Sequence, residues 1–226
     1  MLAFNGALRP KSLTPDPPFS SVSLLMHFDG SAADSSSLNN TFTTVGTPTF
    51  TTTNFKFGTA CYLGATATGF RKTTGLTPFN FGTGDFTIEF WVNKQSNSNS
   101  NNMVITGRSS ASNAFQWLCF ITLSTIYFQT SLISLTGALA SNAWIHVAIS
   151  RTGTTTKLFV NGIMLQQSTV DNSNYTTTEL NIAIDGSGAA VFALFPNNRL
   201  DDLRITKGYG RYTADFTPPT AAFPNS

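Results

Sequence analysis

Gly84-Asp85-Phe86-Thr87-Ile88-Glu89-Phe90-Trp91-Val92 is the stretch on which the reading of this chain turns. Phe86, Ile88, Phe90 and Val92 recur at every second position, with Thr87, Glu89 and Trp91 between them. A period of two is that of a β-strand, whose successive side chains point to opposite faces, so the phenylalanine face is expected to be core. Working outward, the same grammar repeats. Trp144 to Arg151 alternates through Ile145, Val147 and Ile149. Lys157 to Leu165 is interrupted by Asn161-Gly162, the strongest short hairpin signal, because a type I′ turn needs positive φ at both central residues. Shorter strands are expected at Ser23 to Phe28, Met103 to Gly107, Ala114 to Ile121, Thr125 to Thr130, Glu179 to Ile184 and Asn198 to Thr206. No segment sustains a helical period.

Composition agrees with an all-β domain. The 226 residues are 41% hydrophobic and include 20 Phe, enough for one substantial core and no second full domain. Charged residues reach 11%, below the roughly 25% of an average globular chain. Thr, Ser, Asn and Gly fill the polar positions, as in a Thr-rich sheet protein. The net charge of +2 comes with no Lys/Arg cluster, which argues against nucleic acid as a partner. No apolar run approaches a membrane span. Residues 1–20 carry Pro10, Pro15, Pro17 and Pro18, and read as an extended N-terminal arm that the domain or a neighbouring subunit would hold. The domain proper is expected over 21–226. Arg9 and Lys11 interrupt the first apolar residues, so no signal peptide is read there and synthesis in the cytoplasm is the expectation.

Several polar features have two readings. Cys61 and Cys119 lack metal spacing and are expected as buried thiols, with a single disulfide as the alternative. Gln95 to Asn102 and Thr169 to Thr178 read as loops, either solvated connectors or specificity loops on a rigid frame. Arg71-Lys72 reads as a solvated strand end. Asp29, Asp34, Asp201 and Asp202 fall in the first and last strand regions and could supply the oxygen ligands of a Ca2+ ion. Their other reading is Asx turns at Asp29 and Asp34, with Asp202 paired to Arg204 or Arg211. For carbohydrate, the candidate stacking residues are Trp117, Tyr127, Tyr175 and Phe195, each set against ordinary packing. Trp91 would cover the outer side of its sheet or fill a groove, and Trp144 a packed strand start.

The order of these strands resembles the laminin-G-like branch of the concanavalin A-like lectin/glucanase superfamily. The resemblance rests on Leu24-Leu25-Met26-His27-Phe28-Asp29-Gly30 with Asp34, on Phe57-Gly58, and on the Gly84 to Val92 strand. It continues through Trp144-Ile145-His146-Val147-Ala148, Arg151 and Val160-Asn161-Gly162. Leu200-Asp201-Asp202-Leu203-Arg204-Ile205-Thr206-Lys207-Gly208, Arg211-Tyr212-Thr213 and Phe216-Thr217-Pro218-Pro219 are similar to the closing segment of phage-encoded members. The resemblance implies a two-sheet antiparallel jelly-roll sandwich that binds through rim loops or a sheet face, in some members with calcium.

Glucanase relatives place acid, helper and nucleophile on one strand as Glu-x-Asp-x-x-Glu, since a retaining glycosidase needs two carboxyls about 5–5.5 Å apart. Here the pattern that begins at Glu89 has Trp91 and Lys94 at the other two positions. The expectation is therefore a non-catalytic protein. The first role expected is an accessory structural subunit of a tailed-phage virion, a capsid decoration or tail-associated protein that contacts virion proteins or itself through the arm. The alternative is a free-standing lectin-like adhesin for surface polysaccharide, and glycoside hydrolysis stands last.

Overall fold

The computed structural model describes residues 17–95, 102–109, 116–122, 124–130, 134–186, 193–194 and 196–226. Most of the N-terminal arm, most of the Gln95 to Asn102 loop and Phe195 lie outside the described residues. Among the described residues fifteen strands are formed: β1 Val22–Met26, β2 Thr43–Val45, β3 Thr49–Thr51, β4 Cys61–Leu63, β5 Gly69–Lys72, β6 Phe86–Asn93, β7 Asn102–Thr106, β8 Leu118–Ile121, β9 Thr125–Gln129, β10 Ser134–Ala138, β11 Trp144–Thr152, β12 Thr155–Val160, β13 Ile163–Gln167, β14 Leu180–Ile182 and β15 Arg199–Lys207. They make two antiparallel sheets. The large sheet runs β13-β12-β11-β6-β15-β4-β3, with β1 also on β15, and the small sheet runs β10-β9-β8-β7-β14-β5-β2. This is the expected jelly-roll sandwich.

The hairpin expected at Asn161-Gly162 joins β12 to β13, with φ of 48° and 76° at its two central residues. Strands β2 to β5 and β10 were not expected. They are three to five residues long, too short to display alternation, and β2 and β3 are Thr-rich and partly exposed.

Phe86, Ile88, Phe90 and Val92 of β6 do face the space between the sheets. There they meet Ile145, Val147 and Ile149 of β11, Leu200, Leu203 and Ile205 of β15, and Phe70, Cys119, Ile121, Ile126, Phe128 and Leu180 from the small sheet. Each such side chain contributes about 1.5–3 kcal/mol on burial. The opposite face of β6 is buried too, since all eight of its residues are enclosed. Loops on the far side of the large sheet cause this.

Strand β15 is the organising element of the large sheet. One of its edges pairs with β6 along its length, while the other pairs with β4 at Arg199 and Leu200 and with β1 from Leu203 to Thr206. The exchange of partners falls where the register slips between Asp201 and Arg204, and Asp202 there has φ 47°. A non-glycine residue with positive φ marks a bulge, which turns the neighbouring side chains away from simple alternation.

Candidate functional site

The outer face of the large sheet carries a dense group of buried ionisable side chains, and two lids cover it. The first is the irregular C-terminal segment after β15. Its Arg211 N–H donates to Thr87 Oγ1, its Tyr212 N–H to Ser150 Oγ, and its Phe216 N–H to the Gly162 carbonyl. Gly162 is needed for a second reason besides its turn, because a Cβ there would collide with the Phe216 carbonyl. Tyr212 and Phe216 stack with centroids 3.6 Å apart, and both rings pack edge-on to His146 and Phe159.

Under this lid Glu89 is fully buried. Arg204 Nε donates to its Oε1 at 2.9 Å and the Tyr212 hydroxyl to its Oε2 at 2.7 Å. His146 Nε2 lies 3.3 Å from Oε2, and Arg211 Nε 3.8 Å from Oε1. Burial by itself would raise the Glu89 carboxyl, but Arg204, His146 and Arg211 outweigh it and hold the group far below the usual carboxylate range. A carboxylate locked in its ionised form and enclosed by protein is built as a counter-ion, not as a proton donor to substrate. Lys94, at the position where a second Glu would stand in a glucanase, is buried with its ammonium on Ser141 Oγ and the Gln95 carbonyl.

The second lid is the loop between β3 and β4, whose Lys56 and Phe57 N–H groups donate to Asp201 Oδ2. The Phe57 ring stands edge-on to Trp91 at 5.7 Å, and the Lys56 ammonium lies 3.9 Å from the Trp91 ring centroid, a cation–π contact. Register places His146, Trp91 and Asp201 in one row across β11, β6 and β15, and Trp144, Asn93 and Arg199 in the next row on the same face. Directly opposed residues in antiparallel strands bring their Cβ atoms to about 4.5–5.5 Å, so these six side chains form one cluster. Its hydrogen bonding is incomplete. Trp91 Nε1, Trp144 Nε1, Arg199 Nε, Asp201 Oδ1 and both ring nitrogens of His146 are buried without a hydrogen-bond partner, although His146 Nε2 faces Glu89. Burial pushes the Asp201 carboxyl up to about 7, even though two backbone N–H groups favour its ionised form.

The residues singled out in the sequence fare differently. Trp117 is wholly buried in the core, its indole N–H donating to Thr177 Oγ1 at 3.1 Å, so it is no stacking platform. Tyr175 is likewise corrected: it is wholly buried, and its hydroxyl donates to Asp171. Asp171 also accepts from Thr156 and the Ser173 N–H and faces Arg151, so Thr169 to Thr178 is an anchored segment and not a solvated connector. Tyr127 does lie on the outer face of the small sheet, half-buried and stacked parallel to Phe120 at 4.7 Å. Phe195 lies outside the described residues.

The four aspartates do not assemble into a calcium site. Asp29 accepts from the Thr59 and Ala60 N–H groups, and Asp34 from those of Leu25, Ser36 and Asn40. Asp202 accepts from His27 Nδ1 and the Phe223 N–H, so its partner is neither Arg204 nor Arg211 as expected. The carboxylates act as separate staples, Asp29 and Asp201 at different points of the loop between β3 and β4, and among the described residues no group of three or more His, Cys, Asp or Glu is placed to hold a metal ion. The expected Asx turn is present at Asp34, where Oδ1 accepts from Ser36. Asp29 instead reaches across to the loop before β4. Cys61 and Cys119 are buried free thiols, both pushed up by burial. Arg71 is not simply solvated, since it faces Glu179 at 3.1 Å and donates to Asn181.

Sequence reasoning missed the cluster around Trp91. The six residues come from three distant segments, and only the strand register brings them together. The signal that was available is Asp201, Trp91 and Trp144 falling at out-facing positions of three long strands.

Comparison with known proteins supports the architecture. A family described as the concanavalin A-like lectin/glucanases superfamily matches residues 71–208. No curated protein sequence matches the chain. Among solved structures, one similar protein is botulinum neurotoxin type C, from a study of its dependence on two ganglioside molecules for cell entry. It is 15% identical, the match covers 83% of this chain and 48% of that one, and the TM-score is 0.61. The binding domain of paraclostridial mosquitocidal protein 1 is 13% identical over 84% of this chain and 50% of that one, with TM-score 0.64. The binding domain of botulinum neurotoxin DC, solved in complex with SialylT, is 16% identical over 83% and 48%, with TM-score 0.61. At these identities the likeness is one of fold, and the chain spans about half the length of those proteins.

Proposed function

This chain belongs to the concanavalin A-like lectin/glucanases superfamily, and on that premise we propose that it is a non-catalytic, lectin-like module that binds carbohydrate through the outer face of the large sheet. The observation that carries the reading is the cluster of Trp91, Trp144, Asn93, Arg199 and Asp201, where aromatic rings stand beside polar atoms that lack protein partners. Sugar sites combine those two elements, an apolar ring against the C–H face of the sugar and fixed polar groups against its hydroxyls. Sealing of Glu89 as a counter-ion supports a role without hydrolysis. The neighbours named for binding domains, and for gangliosides and SialylT, agree in kind with such a role.

Isothermal titration against a broad panel of soluble oligosaccharides tests the proposal. Binding that is weakened by Trp144→Ala, with the melting temperature preserved, supports it. Silence across the panel, or turnover of any member, overturns it.

A second reading, the virion accessory subunit, draws on a different observation. Strand β13, at the edge of the large sheet, exposes Ile163, Met164 and Leu165 in succession. An apolar edge strand of that kind suits a neighbouring subunit. Light scattering that shows assembly of the wild type and a monomer for Met164→Lys would favour this reading.

A further inference from the structure

The imbalance within the Trp91 cluster specifies more than carbohydrate in general. Beside the two ring nitrogens of His146, one donor and one acceptor in a neutral imidazole, its partnerless atoms are three N–H donors, Trp91 Nε1, Trp144 Nε1 and Arg199 Nε, against one acceptor, Asp201 Oδ1, so donors are in excess. The remaining acceptor, Asn93 Oδ1, already takes the Gln95 amide. A buried donor without a partner is costly, and three side by side describe a complement rich in acceptors. Sugar hydroxyls bring a donor with every acceptor, whereas a carboxylate brings acceptors alone and bonds more strongly to charged donors.

Lys56 supplies the second positive charge and the means of entry. Its backbone is pinned by Asp201, but its ammonium sits at the end of a flexible four-carbon stem that rests on the Trp91 ring. Rotation of that side chain uncovers the part of the ring face on which it rests, beside the Phe57 edge, and the ammonium is then free to fold back over an anionic ligand. Asp201 does not oppose this, because its carboxyl is largely protonated on the acid side of about 7 and can itself donate.

Resting on the lectin-like reading, we propose that the site formed by Lys56, Trp91, Trp144 and Arg199 selects saccharides that carry a carboxylate, with Arg199 and Lys56 on the carboxylate and the indoles on the sugar ring. Here Arg199 and Lys56 confer the charge selectivity, and the tryptophans confer recognition of a sugar.

The test is isothermal titration of the full chain at pH 6.5 with trigalacturonic acid and with sialyllactose, each against its neutral counterpart, galactotriose and lactose. The expected result is at least tenfold tighter binding of an acidic probe than of its neutral counterpart. That margin is expected to be lost in Arg199→Gln and in Lys56→Gln, whose melting temperatures stay within a few degrees of wild type. Equal binding of acidic and neutral probes overturns the charge selectivity and leaves the carbohydrate-binding reading standing. Acidic binding that survives both substitutions overturns the placement of the site. Binding of none of the four probes overturns the inference, and the broad neutral panel then decides the parent reading separately.

Discussion

The two ends of the large sheet's outer face are made of similar residues and finished differently. At the end under the C-terminal segment, Glu89 is met by Arg204, Arg211, His146 and Tyr212, and the lid adds stacked rings and backbone hydrogen bonds. At the other end, Trp91, Trp144, Arg199 and Asp201 sit equally close together, yet each has an atom without a partner, and the lid is a short loop held by two backbone N–H groups on Asp201 and by Phe57 and Lys56 on the Trp91 ring. The sealed network lacks hydrogen bonds only at the His146 ring nitrogens and fixes the fold, whereas a cluster in which most members are incomplete marks a place where something else is to be received.

Breaking the sealed end should be costly. Deletion of 209–226 uncovers Phe159, His146 and the Glu89 network together, and is expected to abolish cooperative unfolding in calorimetry. Glu89→Gln leaves Arg204 and Arg211 buried without their counter-charge, and should destabilise the chain by about 3–5 kcal/mol in urea titration. If Glu89→Gln were neutral, the distinction between the two ends would fail.

The open end should respond in the opposite direction. The Asp201 carboxyl is raised to about 7, so the folded state keeps a proton that the unfolded chain releases near pH 4. Stability from this group therefore falls as pH rises from about 4 to 7. Arg199 and Asp202 on the same strand, Cys61 on β4, Lys56 of the covering loop and His146 in the same row on β11 are charged or titratable groups that share its surroundings. Asp201→Asn keeps an acceptor for the Lys56 and Phe57 N–H groups, and is expected to stabilise the fold by about 2–4 kcal/mol at pH 8, by about 1 kcal/mol at pH 5 and hardly at all below about pH 4.

The smallest effect concerns the end of the C-terminal lid. His27 bonds Asp202 through Nδ1 and Asn225 through Nε2, and the Asp202 hydrogen bond raises its pKa despite partial burial. The sign is opposite to that of a buried carboxylate held ionised: this stabilisation is complete below about pH 6.5 and is lost as pH rises through the raised value. His27→Gln should cost about 1 kcal/mol at pH 5.5 and nothing at pH 9, read from paired denaturation curves.

Much of the frame could be read from local pattern. The inward set of β6 and the Asn161-Gly162 turn follow from spacing and from the steric demand for positive φ, both of which are properties of a few consecutive residues. The partners of Glu89 were not legible, because Arg204, Arg211 and Tyr212 lie far along the chain and reach it only through the register of β15 on β6. The C-terminal segment shows no periodicity at all, so nothing in it announces a lid. Trp117 and Tyr175 were misplaced for a related reason: a polar handle on an aromatic ring suits a sugar, but it suits an internal acceptor such as Thr177 or Asp171 equally well. Tyr127 alone among the described candidates keeps a partly open position, on the other sheet.

The position of β15 bears on how the chain acquires its shape during synthesis. A strand near the C-terminus is bordered by β6 on one side and by β4 and β1 on the other, so the first strand and the last are direct neighbours. While the ribosome is still making residues before 199, β1, β4 and β6 have no common partner, and their edges stay open. Such long-range closure makes folding slow, of the order of milliseconds to seconds for all-β topologies of this kind. The nascent chain must therefore be kept from pairing with its neighbours until β15 emerges and joins β1 and β4 to the block that β6, β11, β12 and β13 can already form.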